Sequence, residues 1–146
     1  MKIYLDLCAI QRPLDTPNQI RIILESEAVL GIIIYCDSGQ GELLSSEALL
    51  YGCEQCSFPI RKEHTLAVLA KAKDVITVGT KEQSRATDLI TFGIKPLDAL
   101  HIALAESDNA DYFCTCDDKL LRNANHVKNL TVKVVNPVEL VQEIEK

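Results

Sequence analysis

The sequence has no apolar run long enough to cross a membrane. The longest, "AVLGIIIYC" at 28–36, is closed off by Glu27 and Asp37, far short of the roughly 20 residues that a spanning helix requires. No secretory leader pattern is visible, because Asp6 interrupts the first apolar stretch almost at once. Together these absences lead us to expect a soluble, cytoplasmic protein without membrane contact. Basic charge is also scarce: the formal net charge is −6. A protein that grips long nucleic acid by phosphate neutralisation alone carries the opposite sign, so a broad electrostatic groove is excluded. A small nucleic-acid site is not, since acids gathered around a divalent cation present a phosphate with a different charge from the formal one. No G-x-x-x-x-G-K or G-x-G-x-x-G pattern occurs, so no nucleotide cofactor is expected, and there is no Gly-x-Ser-x-Gly elbow. Six cysteines are present without a disulfide-framework pattern. "CEQC" (Cys53, Cys56) has the spacing of half a zinc site, but no second Cys-x-x-Cys accompanies it, and "CTC" (Cys114, Cys116) alternates as on one face of a strand. Reduced thiols acting as small hydrophobes are the simpler reading.

What is present is a globular composition, 47% hydrophobic and 25% charged over 146 residues, suited to one domain spanning 1–146 and able to bury a core without staples. Apolar patterning alternates between strand and helix. Short strands are expected at 2–6, 42–44, 74–79, 111–116 and 130–135. Helices are expected at 19–36, 45–56, 59–73, 80–93, 95–109, 117–125 and 137–146, with 11–19 a polar turn holding Pro13 and Pro17. Pro59, Pro96 and Pro137 open helices and Gly93 closes one. No repeats, linkers or low-complexity tracts interrupt this order. The alternation predicts an α/β fold: a three-layer α/β/α sandwich around a central, mainly parallel sheet of four or five strands.

Acids recur where this topology places strand ends. Asp6 follows "KIYL", Glu47 follows "ELLSS" and Asp117 follows "DYFCTC". The carboxyl ends of parallel strands share one edge, which is where open α/β sheets bind ligands. Asp98 lies in the first turn of the helix "PLDALHIALA", an otherwise apolar segment. Two carboxylates about 5 Å apart repel by about 3 kcal/mol at an effective dielectric of about 20. Several together oppose folding unless they keep protons or share a cation, and oxygen-only ligands favour Mg²⁺ or Mn²⁺. A metal shared by Asp6, Asp98 and Asp117 therefore compensates Asp98. Each acid also has a structural explanation. Asp98 and Glu47 suit first turns of helices, Asp117 suits an N-cap, and Asp6 suits a solvated turn. His101, one turn after Asp98, can touch a ligand or simply pack; Arg12 can reach a phosphate or form a surface salt bridge.

The order of motifs resembles the PIN-domain ribonucleases of the kind that form the toxin half of VapBC-type toxin–antitoxin pairs. "YLDLCAI" carries Asp6, "SSEALL" Glu47, "PLDALHIALA" Asp98, and "FCTCDDKLL" Thr115 and Asp117, with Asp118 as a neighbour able to share the role of Asp117. The likeness spans nearly the whole chain. It departs at Cys8, where the family usually has a small hydroxyl or amide residue two places after the aspartate. The resemblance implies an Mg²⁺- or Mn²⁺-dependent endoribonuclease acting on single-stranded or structured RNA. Asp6, Asp98 and Asp117 would hold the metal, Glu47 would complete the pocket, and Thr115 would position an acid or a water. It also implies a homodimer and an antitoxin partner. Two other classes stay open on the residues alone: a PIN-like RNA- or protein-binding module without catalysis, motivated by Cys8 and the negative charge, and a phosphate-accepting receiver-like domain, which would want a second acid beside the first strand.

Overall fold

The computed structural model describes Met1–Lys146. Strand β1 (Lys2–Leu5) leads into a short helix α1 (Leu7–Gln11), a 3₁₀ turn (Arg12–Leu14) and the long helix α2 (Ile20–Asp37). There follow β2 (Glu42–Leu43), β3 (Ser45–Ser46), α3 (Glu47–Glu54), α4 (Pro59–Leu69), β4 (Val75–Ile76) and α5 (Thr80–Ile90). The last third comprises α6 (Pro96–Ser107), β5 (Tyr112–Cys114), α7 (Asp118–Asn125), β6 (Lys133–Val135) and α8 (Pro137–Ile144). No helix is long and apolar enough to cross a membrane.

Four strands form an all-parallel sheet in the order β2-β1-β5-β6, while β3 and β4 pair separately as a two-stranded parallel ladder. Successive side chains on a strand point to opposite faces, yet Ile3, Tyr4 and Leu5 are all 0% exposed. Both faces of the central strand are therefore covered, as the layered α/β expectation requires. Helices α2 and α8 pack together, as do α5 and α6. The "GIII" segment at 31–34 is part of α2 in spite of its β-branched residues; Ile32 and Ile33 are buried there.

Two local expectations are corrected. Residues 7–11, assigned no helix from sequence, form α1 because the Asp6 side chain accepts the Ala9 N–H and so caps it. Ser45 and Ser46, assigned to the start of a helix, form β3 against Val75 and Ile76, and Ser46 then caps α3 through the Leu49 N–H. Helix α5 ends at Ile90, a turn ahead of Gly93, whose φ of 85° takes the chain through the left-handed region.

Register fixes what lies at the functional edge. Leu5 pairs with Cys114, and Cys114 with Val135. The Asp6 N–H donates to the Cys114 carbonyl at 3.1 Å and the Thr115 N–H to the Val135 carbonyl at 3.0 Å. The residues just beyond β1 and β5 are thus tied side by side. Beneath them Tyr4 stacks on Phe113, ring centroids 5.2 Å apart. Truncating Phe113, 0% exposed, would leave a cavity against Tyr4. Phe113→Ala is expected to lower unfolding free energy by about 3–5 kcal/mol, read from the midpoint shift in urea denaturation.

Candidate active site

Asp6 is buried at the end of β1. Its Oδ1 accepts the Ala9 N–H at 3.0 Å and the Cys8 thiol at 2.9 Å. Cys8 Sγ also lies 3.4 Å from Thr115 Oγ1 and accepts the Cys116 N–H at 3.4 Å. The neighbouring Cys116 thiol, and then burial, hold Cys8 well above the usual thiol range, so it stays a protonated donor. The thiol thereby makes the bond to the aspartate that a hydroxyl would make. Burial raises the carboxyl of Asp6 well above its ordinary range; the neighbouring Cys8 adds to this, and Thr115 and the Ala9 N–H oppose it.

Asp117 is the N-cap of α7, its Oδ1 accepting the N–H groups of Lys119 and Leu120 at 3.0 and 3.2 Å. Its own N–H donates to Thr115 Oγ1 at 3.1 Å, so Thr115 orders the loop that carries it. Asp98 sits in the first turn of α6, behind Pro96. It is half-buried, and burial first, then the charge of Asp117, raise its carboxyl above the ordinary range, with Lys95 opposing. Capping explains Asp117 Oδ1, while the charge of Asp98 is opposed only by Lys95.

Asp6, Cys8, Arg12, Asp98, His101 and Asp117 line one cleft of about 280 Å³. Asp98 and Asp117 also share a narrow crevice with Lys95 and Lys119. Glu47 is not among these residues. It is exposed at the first position of α3, and its Oε1 accepts the Val78 N–H at 2.6 Å. One residue further on, Ala48 faces the core, so the helix turns Glu47 outward. Asp118 likewise faces elsewhere: Arg21 grips both its oxygens at 2.6 and 2.8 Å and holds its carboxyl below the usual range. Arg12 is engaged by Asp15 at 2.9 Å and Glu25 at 2.9 Å.

Glu25 carried no signal in the sequence reading. Only 3% exposed, it joins Arg12 to Arg21, and Arg21 in turn reaches Asp118 and the Cys116 carbonyl. This network ties α2 to the loop between β5 and α7. An acid inside an apolar helix four residues after Arg21 was the available clue. A larger concavity, about 580 Å³, lies between α5 and α6. Its Arg85 and Glu106 pair at 2.8 Å, and Glu106 accepts the Thr131 N–H, leaving little uncompensated chemistry there.

The carboxylates fit a hard divalent cation in kind: they are oxygen donors, burial leaves Asp6 and Asp98 uncomfortable when ionised, and the charge of Asp117 adds to this at Asp98. No three His, Cys, Asp or Glu side chains lie close enough to enclose a metal on their own. Asp6, Asp98 and Asp117 instead line the cleft together. The thiols of Cys53 and Cys56 donate to the carbonyls of Lys62 and Phe58, as structural cysteines do.

The sequence profile of the PIN domain matches residues 17–126. The chain belongs to the PIN domain family. PIN domains are nucleases as a family and generally use divalent metal ions. Among solved structures, a chain of VapBC2 from Rickettsia felis, crystallised bound to a DNA fragment from its promoter, superposes with a TM-score of 0.60. The identity is 15%, over 93% of this chain and 98% of that one, which is a likeness of fold. None of the curated proteins compared with the sequence matches it.

Burial of Asp6 has a consequence for stability. An unfolded carboxyl ionises at about pH 4; in the folded chain Asp6 does so well above that. The unfolded state therefore loses its proton first, and stability falls as pH rises from the unfolded value to the folded one, then levels. Asp6→Asn keeps the cap and removes the penalty. In metal-free buffer it is expected to be more stable than wild type at pH 7, on the order of 1 kcal/mol, with the difference gone below about pH 4, as measured by thermal unfolding.

Proposed function

We propose that the protein is a metal-dependent endoribonuclease, the toxin component of a toxin–antitoxin pair. One observation carries this: Asp6, Asp98 and Asp117, from three separate elements, line a single cleft at the carboxyl edge of a parallel sheet. Asp6, Asp98 and Asp117 would hold Mg²⁺ or Mn²⁺, directly or through water. Such a cation supplies Lewis acidity, acidifying a water and offsetting charge on phosphoryl oxygens. The chain's own contribution is placement. Cys8 and the Ala9 N–H fix Asp6 Oδ1, the α7 N-terminus fixes Asp117, and Pro96 sets the start of the helix that carries Asp98. Lys95 and Lys119, beside Asp98 and Asp117, suit phosphates flanking the scissile one. Glu47 takes no part in the chemistry.

A single cleft with no broad basic groove suits single-stranded or looped RNA, whose backbone can enter it. Hydrolysis by water needs no 2′-hydroxyl and leaves 5′-phosphate and 3′-hydroxyl ends. The fold shared with a VapBC2 chain supports an antitoxin partner. Exposed apolar side chains on α2 (Ile20, Leu24, Ile34) and at the start of α4 (Phe58, Ile60) offer surface for that partner and for a second copy of the chain. Of the two observations that motivate a non-catalytic binding module, the thiol bond to Asp6 answers Cys8, and the net charge of −6 is the other.

Purified protein is expected to cut a mixed RNA pool with Mn²⁺ and to stop when EDTA is added. Asp6→Asn, Asp98→Asn and Asp117→Asn should each lower the rate at least about 100-fold with folding retained, whereas Glu47→Gln should change it less than about threefold. RNA binding without turnover in the presence of Mn²⁺ would contradict the assignment.

A further inference from the structure

His101 is 4% exposed and lines the acidic cleft one turn beyond Asp98. Its Nδ1 lies 2.6 Å from the Tyr4 hydroxyl, which lies 2.7 Å from Ser46 Oγ. Ser46 Oγ accepts the Leu49 N–H at 3.1 Å. Tyr4 and Ser46 are 0% exposed, so the proton count must close without bulk water. The Leu49 N–H can only donate. The Ser46 hydroxyl proton then has one partner, Tyr4 Oη, and the Tyr4 proton passes to His101 Nδ1. The reverse polarity would leave the Ser46 proton with no acceptor inside the core. Nδ1 is therefore an acceptor, and the proton of the neutral imidazole sits on Nε2.

Nε2 has no protein partner. The one sealed side-chain polar atom lacking a partner is Ser45 Oγ, so Nε2–H opens on the cleft. Burial pushes the imidazole down to about 4, in keeping with a neutral ring. A protonated Nε2 has no lone pair with which to accept a proton from water, so this histidine is not a general base. It is a fixed, uncharged donor among carboxylates, and what it can recognise is an anionic oxygen lying between them.

We propose that His101 Nε2–H is a substrate contact, donating to a non-bridging oxygen of the bound phosphodiester, with Tyr4 and Ser46 as positioning residues that pin its tautomer. The assignment rests on the nuclease reading of the cleft. Neutrality matters here: an imidazolium would compete with the cation for Asp6 and Asp98, whereas a neutral N–H binds the phosphate without doing so.

The test combines ¹⁵N NMR with kinetics. Long-range ¹H–¹⁵N spectra, with the His101 signals identified by their loss in His101→Gln, should show the Nε2–H tautomer from pH 5.5 to 8, and Tyr4→Phe should produce a tautomer mixture. With Mn²⁺ and RNA, His101→Leu should lower kcat/KM by about 10- to 100-fold while Mn²⁺ affinity, read by calorimetry, stays within about twofold. His101→Gln places an amide N–H near the same point and should recover most of the loss; Tyr4→Phe should cost a smaller factor. An Nδ1–H tautomer in the wild type, full activity in His101→Leu, or loss of Mn²⁺ binding in that variant would each overturn the proposal. A wild type that cuts no RNA overturns the nuclease reading along with it; a wild type matched by His101→Leu overturns this inference alone.

Discussion

A carboxyl group buried at the end of the central strand is the constraint on which the rest of the molecule depends. Asp6 cannot be solvated where it lies, so its surroundings are built to tolerate it. A thiol and a backbone N–H bond one oxygen, and the strand beside it supplies Thr115. The parallel register makes this possible, because joining β1 to β5 puts Asp6 beside the loop that carries Asp117. Helix α6 then brings Asp98 to the same cleft from the other side. An arrangement that holds three acids together works against folding, and the raised carboxyl of Asp98, through burial first and then the charge of Asp117, is the local sign of it. A hard cation held there, as proposed, would turn that opposition into affinity.

Support for the cleft extends beyond the acids. Glu25, buried in α2, binds Arg12 and Arg21, and Arg21 reaches across to Asp118 and the Cys116 carbonyl. The ion pairs thus pin the β5–α7 loop to a long helix rather than leaving it to move with solvent. Asp118, adjacent to Asp117, is committed to this role, so two neighbouring acids separate into one that faces the cleft and one that anchors the loop. On the opposite wall the Tyr4–Ser46 pair links the core of the sheet to His101. The cleft is therefore braced by interlocked polar groups, which gives it a defined shape, and His101 Nε2 is the donor among them left facing the cleft.

Most of the element order was legible in the sequence because strands and helices differ in apolar period and because Pro59, Pro96, Pro137 and Gly93 mark boundaries by backbone chemistry alone. Asp6 and Asp117 were legible because each follows an apolar strand. The placement of Glu47 was not legible for a reason of scale: at a helix start one residue is worth about 100° of rotation, and "SSEALL" does not say whether the helix begins before or after the serines. The structure spends Ser45 and Ser46 on a two-residue strand, and Glu47 turns away while Ala48 turns in. Glu25 has one partner four residues away in Arg21, but its other partner, Arg12, and the Tyr4 partner of His101 lie 13 and 97 positions away, where no local pattern reaches. At Cys8 the sequence shows only a departure from the usual hydroxyl or amide residue; its 2.9 Å approach to Asp6 depends on packing that a sequence does not display.

The central claim is that Asp6, Asp98 and Asp117 make one cation site and Glu47 stands apart from it. Paramagnetic line broadening on adding substoichiometric Mn²⁺ to ¹⁵N-labelled protein tests this without reference to any substrate. The account predicts that the amide signals of residues 6–8, 98 and 117 broaden first and together, with those of Glu47 and Val78 still sharp. Broadening centred on Glu47, or spread evenly over the acidic surface, would contradict it.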